Sequence, residues 1–119
     1  MKTMAWIGAT LLALGGCATT PVPADSLARS QAAFRSAHEV GAENVPPAAL
    51  HLTIAKEELD QAKRLIKDGE YKRAEYILMR AESDANAALA LTREADARTD
   101  AQKTIEQVQK LKTSRPEGS

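Results

Sequence analysis

One residue in this sequence has the setting for a defined covalent chemistry. Cys17 is the only cysteine, and it closes the only long apolar run. Lys2 supplies a positive charge, Met4-Ala5-Trp6-Ile7-Gly8-Ala9-Thr10-Leu11-Leu12-Ala13-Leu14 is the apolar stretch, and Gly15-Gly16 put small side chains directly before the thiol. A charged start, a short apolar core and small residues at the scission point are the layout of a secretory signal peptide, with cleavage expected between Gly16 and Cys17. The run is too short and too rich in glycine for a spanning helix, which needs about 20 apolar residues. An ordinary buried thiol would require neither the charge nor the glycines.

The other chemistry-bearing side chains form weaker patterns. His38 and His51 flank Pro46-Pro47, but no His-x-x-x-His pair or second cysteine completes a ligand set, so both read as surface histidines and no metal is expected. Glu57, Glu58 and Asp60 could be cast as an acid–base group, yet paired carboxylates need a cleft that drives their pKa values apart. On a helix they fall opposite the Ala55–Leu59–Ala62 seam, and Asp60 has Arg64 four residues on as a helical ion-pair partner. Arg80/Asp84 and Glu106/Lys110 repeat that spacing. Tyr71 and Tyr76 could stack on a sugar, but residues five apart do not share a helix face, and both are assigned to packing. With no glycine-rich phosphate loop and no nucleophile–base arrangement, the sequence is read as non-enzymatic, without a cofactor beyond a covalent lipid.

That lipid follows from a resemblance. Leu14-Gly15-Gly16-Cys17 resembles the lipoprotein box of bacterial lipoproteins, which implies that Cys17 becomes the acylated amino terminus of the mature chain. Ala18 stands next, with no Asp in that place; by similarity to enteric lipoproteins this implies the periplasmic face of the outer membrane.

Loss of residues 1 to 16 leaves 103 residues, one small domain, carrying 15 Lys and Arg against 16 Asp and Glu. No basic excess points to nucleic acid, and a single cysteine offers no disulfide framework. Aromatics in the mature chain are Phe34, Tyr71 and Tyr76, whereas alanine is dense from Ala28 to Ala101. Alanine costs little side-chain entropy in a helix, but each buried methyl removes little area from water, so close-packed helices with a thin core are expected.

Residues 17–25, with Pro21 and Pro23, read as an extended tether, residues 26–112 as a helical domain and residues 113–119 as a frayed tail. Asp25 or Ser26 could cap a first helix ending near Val40, whose inward residues would be Leu27, Phe34, Ala37 and Val40. Gly41 and Pro46-Pro47 break the chain. In the second helix Ala48, Leu52, Ala55, Leu59, Ala62 and Ile66 make one seam at alternating spacings of four and three. Asp68-Gly69 turns the chain. A third helix then carries Tyr71, Ala74, Leu78, Ala81, Ala85, Ala88 and Ala95, with Thr92 as a polar interruption. The expected fold is all-α, an antiparallel helical hairpin or a three-helix up-down-up bundle with a long projecting C-terminal helix.

Beyond Ala95 the same seam would bury Thr99, Gln102, Glu106 and Gln109, while the apolar residues fall instead at Ala97, Ala101, Ile105, Val108 and Leu111. Either the helix breaks near Thr92–Arg98, or its distal half faces a different partner. About 42 helical residues span roughly 63 Å, twice the length of the second helix, so the distal part should project past the bundle. The Ala97–Leu111 stripe is therefore the candidate surface for self-association or for another envelope protein, coiled-coil pairing included.

Gly41-Ala42-Glu43, then a proline, Leu50, Ala55, Leu59, Ala62, Tyr71, Ala74, Leu78, Ala81, Asp84-Ala85 and Ala88 follow a pattern similar to the small periplasmic lipoproteins of domain-of-unknown-function family 4398. The resemblance covers roughly residues 26–98. It implies a Gram-negative envelope protein with a helical hairpin, and it supplies no catalytic residues. Some relatives carry or neighbour a peptidoglycan-binding domain; none follows the helices here, so direct contact with peptidoglycan stays the alternative to an assembly module.

Overall fold

The computed structural model describes residues 20–115. They form three helices and one short 3-10 turn: α1 (Ala24–Glu39), the turn Ala42–Asn44, α2 (Pro46–Lys67) and α3 (Tyr71–Ser114). The all-α up-down-up arrangement with a long C-terminal helix is as the periodicity predicts.

Each boundary has a local cause. Val45 is extended before Pro46, so the two prolines occupy the first turn of α2, where their missing N–H groups would have no intrahelical acceptor. Gly41 and Gly69 adopt left-handed backbone, with φ of 81° and 76°. At Gly69 the helix end is closed by two bonds: Glu70 N donates to the Leu65 carbonyl at 2.9 Å, and Gly69 N to that of Ile66 at 3.1 Å. This is the Schellman pattern, which needs a residue without a Cβ penalty at the left-handed position. The start of α1 departs from expectation. The helix begins at Ala24 after buried Pro23, no side chain caps it, and Asp25 lies within its first turn. Ser26 is buried because it faces α3.

The core is thin in the way the composition implies. Among the described residues nine of the thirteen buried hydrophobic ones are alanines, and the rest are Leu52, Leu59, Leu65 and Leu78. Alanine at the contact lets helix backbones approach closely. Ser30 exploits that approach: its hydroxyl lies 2.6 Å from the Ser26 carbonyl and 2.8 Å from the Leu78 carbonyl of α3, sharing one proton between them. Five of the six expected α2 seam positions are buried; Ile66 is half-exposed, and Leu65 and Glu58 take the remaining inward places. In α1 only Ala37 of the four expected residues is buried, Leu27 and Phe34 pack at the margin, and Val40 is exposed. Among the described residues every buried one lies between Pro23 and Thr92.

Helix α3 runs unbroken through Thr92–Arg98. Near the end of the bundle, Leu89 and Leu91 pack against the cluster of Ala37, Ala42, Ala48 and Leu52. Thr92 is buried, with its hydroxyl donating to the Ala88 carbonyl at 2.9 Å, so the polar interruption satisfies itself within the helix. From Asp96 to Arg115 every residue is exposed. That is about 30 Å of helix that no other described residue covers.

Candidate functional site

The projecting half of α3 presents the stripe named above on an uncovered surface. Ala97 and Ala101 are exposed, and Ile105, Val108 and Leu111 show 51%, 44% and 70% of their surface to solvent. Val108 and Leu111, with Lys112 and Arg115, line a shallow recess of about 480 Å³. Because the helix is continuous, angular position follows from counting at about 100° per residue. Val108 comes out half a turn from Ala81, on the side of α3 opposite the bundle. Ala90 falls directly in line with Val108, and Met79, 58% exposed, lies close to that line.

The apolar stripe therefore does not swing round near Thr92. Two faces run along α3 from the start. The inner one, Ala74 to Thr92, is covered by α1 and α2. The outer one, Met79 to Leu111, is sparsely apolar beside the bundle and richest where the inner face ends. Local helical bonds hold the projecting half: Arg98 pairs with Glu94 at 2.5 Å, Lys103 with Asp100 at 3.4 Å, and Thr104 Oγ1 donates to the Asp100 carbonyl. Glu106 accepts from Gln102 rather than pairing with Lys110.

The remaining sequence candidates are dispersed. Gly16 and Cys17 lie outside the described residues. Exposed His38 stacks on Phe34, with ring centroids 6.4 Å apart, while His51 Nδ1 lies 2.7 Å from Asp84 Oδ1. Among the described residues no cluster of three or more His, Cys, Asp or Glu could hold a metal. Tyr71 is half-buried at the Gly69 turn; Tyr76 is 69% exposed and does not pack as expected, standing at the rim of a shallow recess shared with Gln61 and Leu65 of α2. Asp60 pairs with Lys56 and Lys63, not Arg64, and these partners hold its carboxyl below the usual range.

Glu58 is the clear correction. Placed by sequence on the solvated face, it is 6% exposed and sits between α2 and α3. It lies three residues from Ala55 and four from Ala62, within the reach of the seam's own spacing, and only its charge suggested otherwise. Arg80 Nη2 lies 2.7 Å from Oε1, yet neither carboxylate oxygen has an aligned hydrogen-bond donor. Burial pushes the Glu58 carboxyl above its usual value; Arg80 opposes the rise, and nearby Asp84 adds to it. Arg80 and Asp84 thus do not pair along α3 but reach across to Glu58 and His51. The group is an inter-helix polar clasp. Its buried carboxylate already has a guanidinium where a cation ligand would stand.

The model of a domain of unknown function, DUF4398, matches residues 25–104. The chain belongs to the DUF4398 family. The DUF4398 match takes in all three bundle helices and the first part of the projecting stripe, Ala97 and Ala101, while Ile105, Val108 and Leu111 lie past its end. No curated protein and no solved structure shows significant similarity to the chain.

Proposed function

We propose that this DUF4398 protein is a lipid-anchored, non-catalytic component of the Gram-negative cell envelope whose helical domain serves as an interaction and assembly module. The observation that carries the reading is the uncovered outer face of α3. A protein with a complete core nevertheless extends about 30 Å of helix beyond it, with Ile105, Val108 and Leu111 on one side. Apolar residues at helical spacing on an unsupported helix suit knobs-into-holes contact with another helix.

The anchor in this reading is Cys17, acylated after cleavage at Gly16, and the expected location is the periplasmic face of the outer membrane. Each buried lipid CH₂ contributes about 0.8 kcal/mol, so two or more acyl chains give a long-lived attachment. Because α1 and α3 run in the same direction, the start of α1 lies at the Gly69 end of the bundle, and the stripe points away from the lipid. No step of the reading uses an enzymatic residue or a cofactor.

The test is a stop codon at Arg98 in the full-length gene, with photocrosslinkers at Ile105 or Leu111 of the intact protein in cells. The expected result is a specific crosslinked species from the stripe and an altered oligomeric state or partner set on truncation. Unchanged assembly after truncation, with no crosslink, sinks the module. Retention of the domain on purified sacculi in high salt would favour direct peptidoglycan binding instead.

A further inference from the structure

The two ends of the bundle differ in where their basic side chains cluster. At the Gly41–Pro47 end, residues 36–55 contain no Lys or Arg, and the acidic Glu39 and Glu43 are exposed. At the Gly69 end, the last turn of α2 and the first of α3 carry Arg64, Lys67, Lys72 and Arg73. Glu70 is engaged by Arg73, whereas Arg64, Lys67 and Lys72 are exposed with no acidic partner within 4 Å among the described residues. The other acidic residues of this end are Asp68, Glu75 and, in the first turn of α1, Asp25, so the patch is basic through the clustering of its unpaired side chains and not through net charge.

Two further observations distinguish this end. Beside Lys72 and Arg73, on the flank of the hairpin not covered by α1, Leu65, Ile77 and exposed Tyr76 line an apolar recess of about 350 Å³. A tyrosine ring beside basic side chains and an apolar recess suits the boundary between headgroups and acyl chains. Second, Thr20 sits in a smaller cleft formed with Gly69, Glu70, Tyr71, Lys72 and Arg73. Cys17 is three residues away, which an extended chain spans in about 10 Å. The proline segment therefore does not hold the domain far from its anchor. Thr20 already lies against the basic turn.

The geometry points to the Gly69 end of the bundle as a docking surface for anionic phospholipid, with Arg64, Lys67 and Lys72 meeting the phosphates and Tyr76 entering the interface. The inference rests on the lipid-anchored reading, to which it adds a contact between domain and membrane. Acyl chains hold the protein at the surface; the basic end then sets its tilt and keeps α3 pointing outward.

The experiment uses residues 20–119, which contain all three helices and every buried residue among those described, in sedimentation with vesicles of phosphatidylcholine alone or with about 30% phosphatidylglycerol. Binding is expected only with the anionic lipid and is expected to fall steeply as salt shortens the Debye length from about 10 Å to about 3 Å. Lys67→Glu with Lys72→Glu should weaken it at least about tenfold, since each basic residue near such a surface strengthens binding severalfold. Lys103→Glu with Lys110→Glu, the same charge change on the projecting half, should leave it nearly unaltered. Absence of binding, equal binding to neutral vesicles, or equal loss from the distal pair overturns the inference. Radiolabelled palmitate on the full-length chain, with Cys17→Ser as control, separately decides the anchor. A labelled protein whose domain ignores anionic vesicles would refute the docking surface alone.

Discussion

The two halves of α3 make a controlled comparison. From Tyr71 to Thr92 and from Asp96 to Ser114 the backbone is the same continuous helix, alanine-rich in the first stretch and rich in Lys, Gln and Thr in the second. In the first half a row of small residues is buried against two helices; in the second every residue is exposed. Helical structure alone therefore does not show where folding energy resides. The first half is held by tertiary packing, while the second depends on propensity and i,i+4 pairs worth a few tenths of a kcal/mol each.

Matched leucines give the largest contrast. Leu78 is fully buried, and Leu78→Ala should cost about 2–5 kcal/mol in urea unfolding. Leu111→Ala, at 70% exposure, should stay within about 0.5 kcal/mol in the monomer while weakening whatever contacts the stripe. Equal effects would mean that the projecting half is covered within the chain after all. Enlarging a residue is the reverse test. Ala81 is fully buried between helices, so Ala81→Leu should overpack and destabilise by about 1–3 kcal/mol. Ala101→Leu adds apolar surface to an open face and should leave the monomer's unfolding midpoint essentially unchanged while strengthening self-association if the stripe pairs with itself. A smaller loss, about 1 kcal/mol, is expected for Ser30→Ala, which removes the hydroxyl bridging α1 to the Leu78 carbonyl but keeps the close approach.

The same comparison explains what could be seen in the sequence. The alternation of four and three in α2 and α3, the glycine and proline stops, and the length mismatch that leaves α3 projecting were all legible, because each is written in residue type and spacing. The α1–α3 contact was not, because it depends on Ser26 and Ser30, whose hydroxyls look like surface residues until another backbone arrives. The outer face of α3 was legible only in its distal half, where large apolar residues mark it; beside the bundle, Ser83, Asn86 and Ala90 give it no hydropathy signal. Glu58 was missed for a related reason. Hydropathy assigned it to water, whereas its register assigned it to the α2–α3 interface, and Arg80 across that interface made register win.

Glu58 also supplies the smallest and most specific test of what covers α3. Its carboxyl is raised above the ordinary value of 4.5, chiefly because burial disfavours the charge, with Arg80 offsetting part of the rise. A folded-state pKa above the unfolded one means that the folded protein holds its proton more tightly. The corresponding stability is fully present below pH 4.5 and is lost as pH rises through the folded-state value. At neutral pH the ionised Glu58 thus stands as a slight net cost. Glu58→Gln should raise stability by a fraction of a kcal/mol at pH 7, and the advantage should fade as acid protonates the native carboxyl. Arg80→Ala should be costlier in the native background, where it strips a buried charge of its partner, than alongside Glu58→Gln. A Gln variant less stable than the native protein at pH 7, with additive effects of Arg80→Ala, would show that the Glu58–Arg80 contact is a net attraction, so that α2 clasps α3 through charge as well as through alanine packing.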